Sequence, residues 1–93
     1  MIRDFDWFKK EFSSFVKDYD VEYRFFETGD FGYLNQVLFN SSKRGGEIDF
    51  WENGSLGMHM WDYEKDAELL NVFLSPEKIK EKEEVFKQLQ YLI

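Results

Sequence analysis

Apolar residues along the first twenty positions recur at a helical interval. Phe5, Phe8, Phe12, Phe15, Val16 and Tyr19 fall on one side, with Lys9, Lys10, Ser13, Lys17 and Asp18 between them. Asp4 precedes the stripe and has the side chain to cap a first turn. From Val21 the period shortens to two. Val21-Glu22-Tyr23-Arg24-Phe25 alternates, and its aromatic and β-branched residues suit a strand. Thr28 to Gly32 reads as a loop and Tyr33 to Phe39 as a second, mostly apolar strand. Asn40 to Gly46 reads as a polar loop holding the basic pair Lys43-Arg44.

Glu47–Trp51 and Leu56–Trp61 flank Asn53-Gly54, a strong hairpin signal. Two loop geometries fit, and they bury different side chains. A two-residue loop pairs Glu52 with Ser55 and sets Ile48 and Phe50 beside Gly57 and His59. A three-residue loop, with Gly54 left-handed as a bulge, pairs Trp51 with Ser55 and moves the parity by one. Ile48, Phe50, Leu56, Met58 and Met60 then share a face. Because a one-residue slip exchanges the two faces, the register that buries all five together is expected. The opposite face then carries Glu47, Asp49, Trp51, Gly57, His59, Trp61 and Tyr63. It is either covered by a helix or exposed as a recognition surface.

Asp62 to Asp66 forms an acidic connection. Ala67 to Leu74 is an apolar run, most simply a buried strand, with a short helix as the alternative. Ser75 as N-cap and Pro76 at the first helical position would open a final helix. Ile79, Val85, Phe86, Leu89, Leu92 and Ile93 form its apolar side, and Glu83 with Lys87 makes a favourable i,i+4 pair. The order helix, about five strands, helix predicts a single α+β domain over residues 1–93, with an antiparallel sheet and helices at both ends of the chain.

A fifth of the 93 residues are aromatic, which suits a packed core and not a disordered segment. Cysteine is absent, which removes disulfides and thiolate chemistry and agrees with a reducing cytoplasm. Met1-Ile2-Arg3-Asp4 is charged from the outset, so no signal peptide is expected, and no apolar run reaches membrane-spanning length.

Charge alters the functional picture. The net charge is −7, and between Glu47 and Glu68 seven acids face one base, Lys65. Direct nucleic-acid binding needs clustered Lys and Arg and is disfavoured. A basic partner suits such a patch through steering and complementarity. Catalysis would rest on His59 as general base, oriented by Asp49 or Asp62. There is one histidine, no thiol, and no serine in a nucleophile-elbow context, so no enzyme is expected. His59, Glu47 and Asp49 could offer three metal ligands, but at no recognised spacing. Gly29-Asp30-Phe31-Gly32 and Gly45-Gly46 match no phosphate-binding loop. Neither metal nor cofactor is expected. Trp51 and Trp61 are either interface anchors or core residues under a helix.

The strand Gly46 to Trp51, the Asn-Gly turn, the aromatic and acidic strand end, and the run "LLNVFLSPE" resemble small immunity proteins. These accompany bacterial polymorphic toxins, including those of contact-dependent growth inhibition. The resemblance covers about a third of the chain. It implies a small cytoplasmic non-enzyme that binds the C-terminal toxin domain of its own system. That domain is frequently a basic nuclease, and the immunity protein blocks its active site or substrate path. In this reading the contacts come from Asp49, Trp51, Glu52, His59, Trp61, Asp62, Tyr63, Glu64, Asp66 and Glu68. Trp51, Trp61 and Tyr63 act as anchors, His59 as a neutral hydrogen-bonding contact, and the free protein is monomeric. The competing class is a small non-enzymatic adaptor or structural domain that self-associates through an exposed sheet edge.

Overall fold

The computed structural model describes residues 2–93. Five antiparallel strands form one sheet in chain order: β1 (Asp20–Phe26), β2 (Leu34–Asn40), β3 (Arg44–Trp51), β4 (Leu56–Asp62) and β5 (Ala67–Leu74). A helical segment precedes the sheet and a helix, Ile79–Leu92, follows it. The expected α+β architecture is the one observed.

The β3–β4 register is the bulged one. Ile48 lies opposite Met58 and Phe50 opposite Leu56. The Trp51 amide donates to the Ser55 carbonyl at 3.1 Å, and Gly54 has φ +94. Ile48, Phe50, Leu56, Met58 and Met60 are all buried. Both helical segments lie on this face. Phe8, Phe12 and Val16 from the first, and Val85, Phe86 and Leu89 from the last, join Val37, Phe39, Ile48 and Phe50 in one cluster. Phe50 is its meeting point, stacked on Phe86 at 6.2 Å and tilted against Phe8 at 5.8 Å. The protein therefore has two layers, and among the described residues no helix covers the other side of the sheet.

Three local expectations need correction. The N-terminal stripe is helical but not one continuous α-helix. Phe5–Trp7 is α-helical, Phe8–Phe12 a π-turn and Ser13–Val16 a 3-10 turn. The Ser13 hydroxyl donates to the Lys9 carbonyl at 2.7 Å, a back-bond that competes with the regular ladder. Widening to a π-turn keeps Phe8, Phe12 and Val16 in line over the core and leaves Phe15 43% exposed. Asp4 does cap the segment, accepting from the Trp7 amide at 2.8 Å.

Secondly, the loop read over Asn40–Gly46 is shorter, because Arg44, Gly45 and Gly46 belong to β3. Those glycines are positions of close approach. A Cβ on Gly45 would collide with the Tyr63 hydroxyl, and one on Gly46 with the Phe39 ring.

Thirdly, Ser75 and Pro76 do not start the last helix, which begins at Ile79 after Lys78. Ser75 accepts the Lys78 amide at its carbonyl, closing a turn before the helix. Lys82 explains the delay. Buried at the edge of the core, its Nζ donates to the carbonyls of Gly54 (2.7 Å) and Pro76 (3.0 Å). One ammonium thus ties the hairpin tip to the turn before the helix, and burial holds its pKa below the usual lysine value.

The core cluster sets a measurable cost. Phe86→Ala should destabilise by about 3–5 kcal/mol in urea denaturation. Tyr91→Ala, at a position 89% exposed on the same helix, should stay within about 0.5 kcal/mol.

Candidate functional site

With both helical segments on one face, the other face of the sheet is a grid whose rows follow from the register. One row runs Glu22, Leu38, Glu47, His59, Asn71. A second runs Arg24, Gln36, Asp49, Gly57, Phe73, and a third Asp20, Asn40, Gly45, Trp61, Glu68. Acids, His59 and Trp61 meet at the centre. They come together because β3 and β4 alternate strictly, so the parity that buries the five apolar residues turns their neighbours the other way.

Glu68 reaches this face through an irregularity. Met60 lies opposite Leu70 but Trp61 lies opposite Glu68, leaving Leu69 as an extra residue in β5. Without that bulge Glu68 would share the parity of Leu70 and point to the core side. With it, Leu69 packs against the core and the Glu68 carboxylate stands 3.4 Å from His59 Nε2.

The remaining predicted residues divide into two groups. Tyr63 is exposed and its hydroxyl donates to Asn40 Oδ1, beside Gly45. Glu64 and Asp66 are exposed in the turn that follows, where Asp66 adopts φ 51. These border the open face. Trp51, Glu52 and Asp62 do not join it as free contacts. The β1–β2 connection folds over Trp51, with Phe31 edge-on to its indole at 5.4 Å and Gly29 against the same ring. Glu52 belongs to the hairpin loop and accepts the Tyr33 amide at 3.2 Å. Asp62 is 5% exposed. Its carboxylate accepts the amides of Glu64 (3.0 Å) and Lys65 (3.1 Å), closing the acidic turn.

Residues outside the sequence reading also contribute. Phe31 bridges Trp51 to Phe73, which is 55% exposed. Gln36 Nε2 donates to Asp49 Oδ1 at 2.9 Å and fixes that carboxylate in place. A shallow concavity of about 210 Å³ lies among Leu38, Gly45, Glu47, His59, Trp61 and Tyr63. A larger one, about 480 Å³, lies at the hairpin end between Arg3, Asp6, Tyr33, Trp51 and Lys82. The first is floored by strand residues, and the alternation along β3 and β4 already set Glu47, His59 and Trp61 side by side; the second depends on how the N-terminal segment meets the hairpin, which no local pattern marks.

The electrostatics of the face favour a cationic visitor. Partial burial and the neighbouring Asp49 carboxylate raise the Glu47 pKa above its ordinary 4.5, and His59 and Arg24 only partly offset this. Two carboxylates two residues apart on one strand face repel each other, and an ammonium or guanidinium set between them would relieve that repulsion. Among the described residues, no three acids or histidines are arranged to hold a metal ion. No helix there is long and apolar enough to cross a membrane. No family model, curated protein or solved structure matches the chain.

The Glu47 shift has a definite sign. A carboxyl group that binds its proton more tightly when folded stabilises fully below its unfolded pKa, and that contribution is lost as pH rises through the folded one. At neutral pH Glu47 is therefore a cost. Glu47→Gln should raise the melting temperature at pH 7 by a few degrees at most, and the gain should vanish as pH falls below the ordinary glutamate range. Thermal melts of both proteins across that range measure it.

Proposed function

We propose that the chain is an immunity protein that neutralises a cognate toxin domain, a basic nuclease, by laying its open sheet face over the active site or substrate groove. The observation that carries this reading is an uncovered sheet face on which Glu47, Asp49 and Glu68 surround His59 and Trp61. A nuclease must present positive charge to hold phosphates, and a surface that offers carboxylates in their place competes for the same groups. The acids steer association and supply charge-assisted hydrogen bonds to toxin Lys, Arg or His. Trp61 and Tyr63 are the aromatic anchors, and His59 is a hydrogen-bonding contact between them.

Trp51, Glu52 and Asp62 act indirectly in this scheme. They hold the hairpin tip, the β1–β2 connection and the acidic turn, and so keep the binding face in shape. Glu64 and Asp66 extend the negative field beyond the sheet. The protein performs no chemistry. It inhibits by occupying a site.

The test takes the C-terminal domain of the protein encoded immediately upstream, assays it for nuclease activity, and titrates it with the full chain. Activity should fall to zero at one equivalent. Association should slow steeply with added salt, because screening weakens long-range attraction. Glu68→Lys should slow association roughly tenfold at low salt, and less at high salt. Trp61→Ala should cost about 2 kcal/mol or more, mainly in dissociation. Undiminished nuclease activity at excess chain, or an association rate indifferent to salt, would overturn the proposal.

A further inference from the structure

We infer that the chain pairs with a second copy of itself through the free edge of β1, extending the sheet across a two-fold axis at Tyr23. The two sheet edges differ in kind. β5 is interrupted by the Leu69 bulge and entered from an acidic turn, both of which protect an edge from pairing. β1 has no bulge, and its charged residues, Asp20, Glu22 and Arg24, carry both signs and so can pair across an edge as well as block it. All seven of its residues pair in unbroken register with β2, and among the described residues no strand lies against its other side. A regular strand of this length with one unpaired side is a template for another strand.

Its side chains are exposed in a way a monomer leaves unused. The helical layer meets β1 at Val21, which packs against the core cluster, and at Tyr23, which Phe5 touches edge-on at 6.0 Å. Tyr23 remains 49% exposed, Phe25 60% and Phe26 43%. Tyr33 is tilted against Phe25 and widens the apolar strip.

The identity of the occupant follows from the order of residues. Let two copies of Asp20–Phe26 run antiparallel with Tyr23 facing Tyr23. Val21 then lies opposite Phe25 of the second copy, and Glu22 opposite its Arg24. By symmetry each pair occurs twice. Residues directly opposite share a face, so the apolar pairs fall on the helical side and the ion pairs on the open side. Within one chain Glu22 and Arg24 already pair with each other, and dimerisation would exchange those partners across the axis. Asp20 falls opposite Phe26 and adds no charged pair, so the choice of a second copy over an unrelated segment rests on Glu22 and Arg24, which are complementary in reverse.

This dimer departs from the expected monomeric free state and takes up the edge pairing expected of the competing adaptor class, and it goes beyond the proposed inhibitory role. Its axis lies at the β1 edge, and the acids around His59 lie on β3, β4 and β5, so either property can hold without the other.

Sedimentation of the full chain at micromolar concentration tests the mass directly, with a dimer expected. Glu22→Arg sets Arg against Arg across the axis, and Arg24→Glu sets Glu against Glu. Each should weaken self-association roughly tenfold or more. Mixing the two variants should restore a dimer, as should combining both changes in one chain, because each arrangement again sets Arg opposite Glu. Circular-dichroism melts confirm that the variants remain folded.

Tyr23→Cys gives an independent readout in a chain without cysteine. Facing Cα atoms in an antiparallel pair lie about 4.5–5.5 Å apart, within disulfide range. Mild oxidation should link Tyr23→Cys into dimers and leave Tyr91→Cys unlinked. A monomeric wild-type chain would overturn the inference. So would a dimer unaffected by either single charge reversal, which would place the contact elsewhere.

Discussion

The register of one hairpin organises this protein. Gly54, at φ +94, lets three residues close the β3–β4 turn, and the ladder that follows sets Ile48 against Met58 and Phe50 against Leu56. Every other feature depends on that parity. The buried side supplies the floor on which Phe8, Phe12, Phe86 and Leu89 pack. The opposite side inherits, from the same alternation, Glu47, Asp49, His59 and Trp61. A shift by one residue would bury carboxylates and an imidazole and expose methionines, at a cost of several kcal/mol for each unpaired buried charge. The hydrophobic effect thus selects the composition of the open face indirectly, by selecting what must be hidden.

The same face carries an electrostatic cost to stability. Glu47 and Asp49 lie on one strand side, and the proximity raises the Glu47 pKa. Gln36 satisfies one oxygen of Asp49, and Arg24 and His59 return only part of the missing positive charge. Folding tolerates this because the apolar cluster beneath is extensive and the acids remain partly solvated. Surfaces that await an oppositely charged partner commonly carry such unrelieved repulsion. The aromatic pair is divided between two duties. Trp51 is roofed by Phe31 and Gly29, so it anchors a loop, while Trp61 stands beside His59 at 6.1 Å and stays available.

What could be read from the sequence, and what could not, divides along the range of the forces involved. The strands, the helical stripe, the Asp4 cap and the bulged hairpin rest on local periodicity and turn chemistry, and these are legible residue by residue. Features set by non-local contact were not. Gly45 and Gly46 look like loop residues because their role is to admit Tyr63 and Phe39, which reach them only once the neighbouring strands have paired. Ser75-Pro76 carries a helix-start signal, yet the start is displaced to Ile79, where Lys82 can reach both Gly54 and Pro76. The Leu69 bulge leaves no mark in composition, although it is what presents Glu68 on the open face. Asp62 looked like one acid among several, and although its turn is local, only the folded chain reveals that its Oδ1 accepts the amides of both Glu64 and Lys65.

The three tryptophans report on separate parts of the molecule: Trp7 within the helical layer against Phe86, Trp51 beneath the β1–β2 connection, and Trp61 on the open face. Their indole N–H resonances, followed as the basic nuclease domain is added, test most directly where a partner sits. If the acidic face is the binding surface, the Trp61 signal shifts strongly at one equivalent and the Trp7 signal stays in place. A perturbation of Trp7 with Trp61 unmoved would contradict the account, because it would put the partner on the helical side of the sheet.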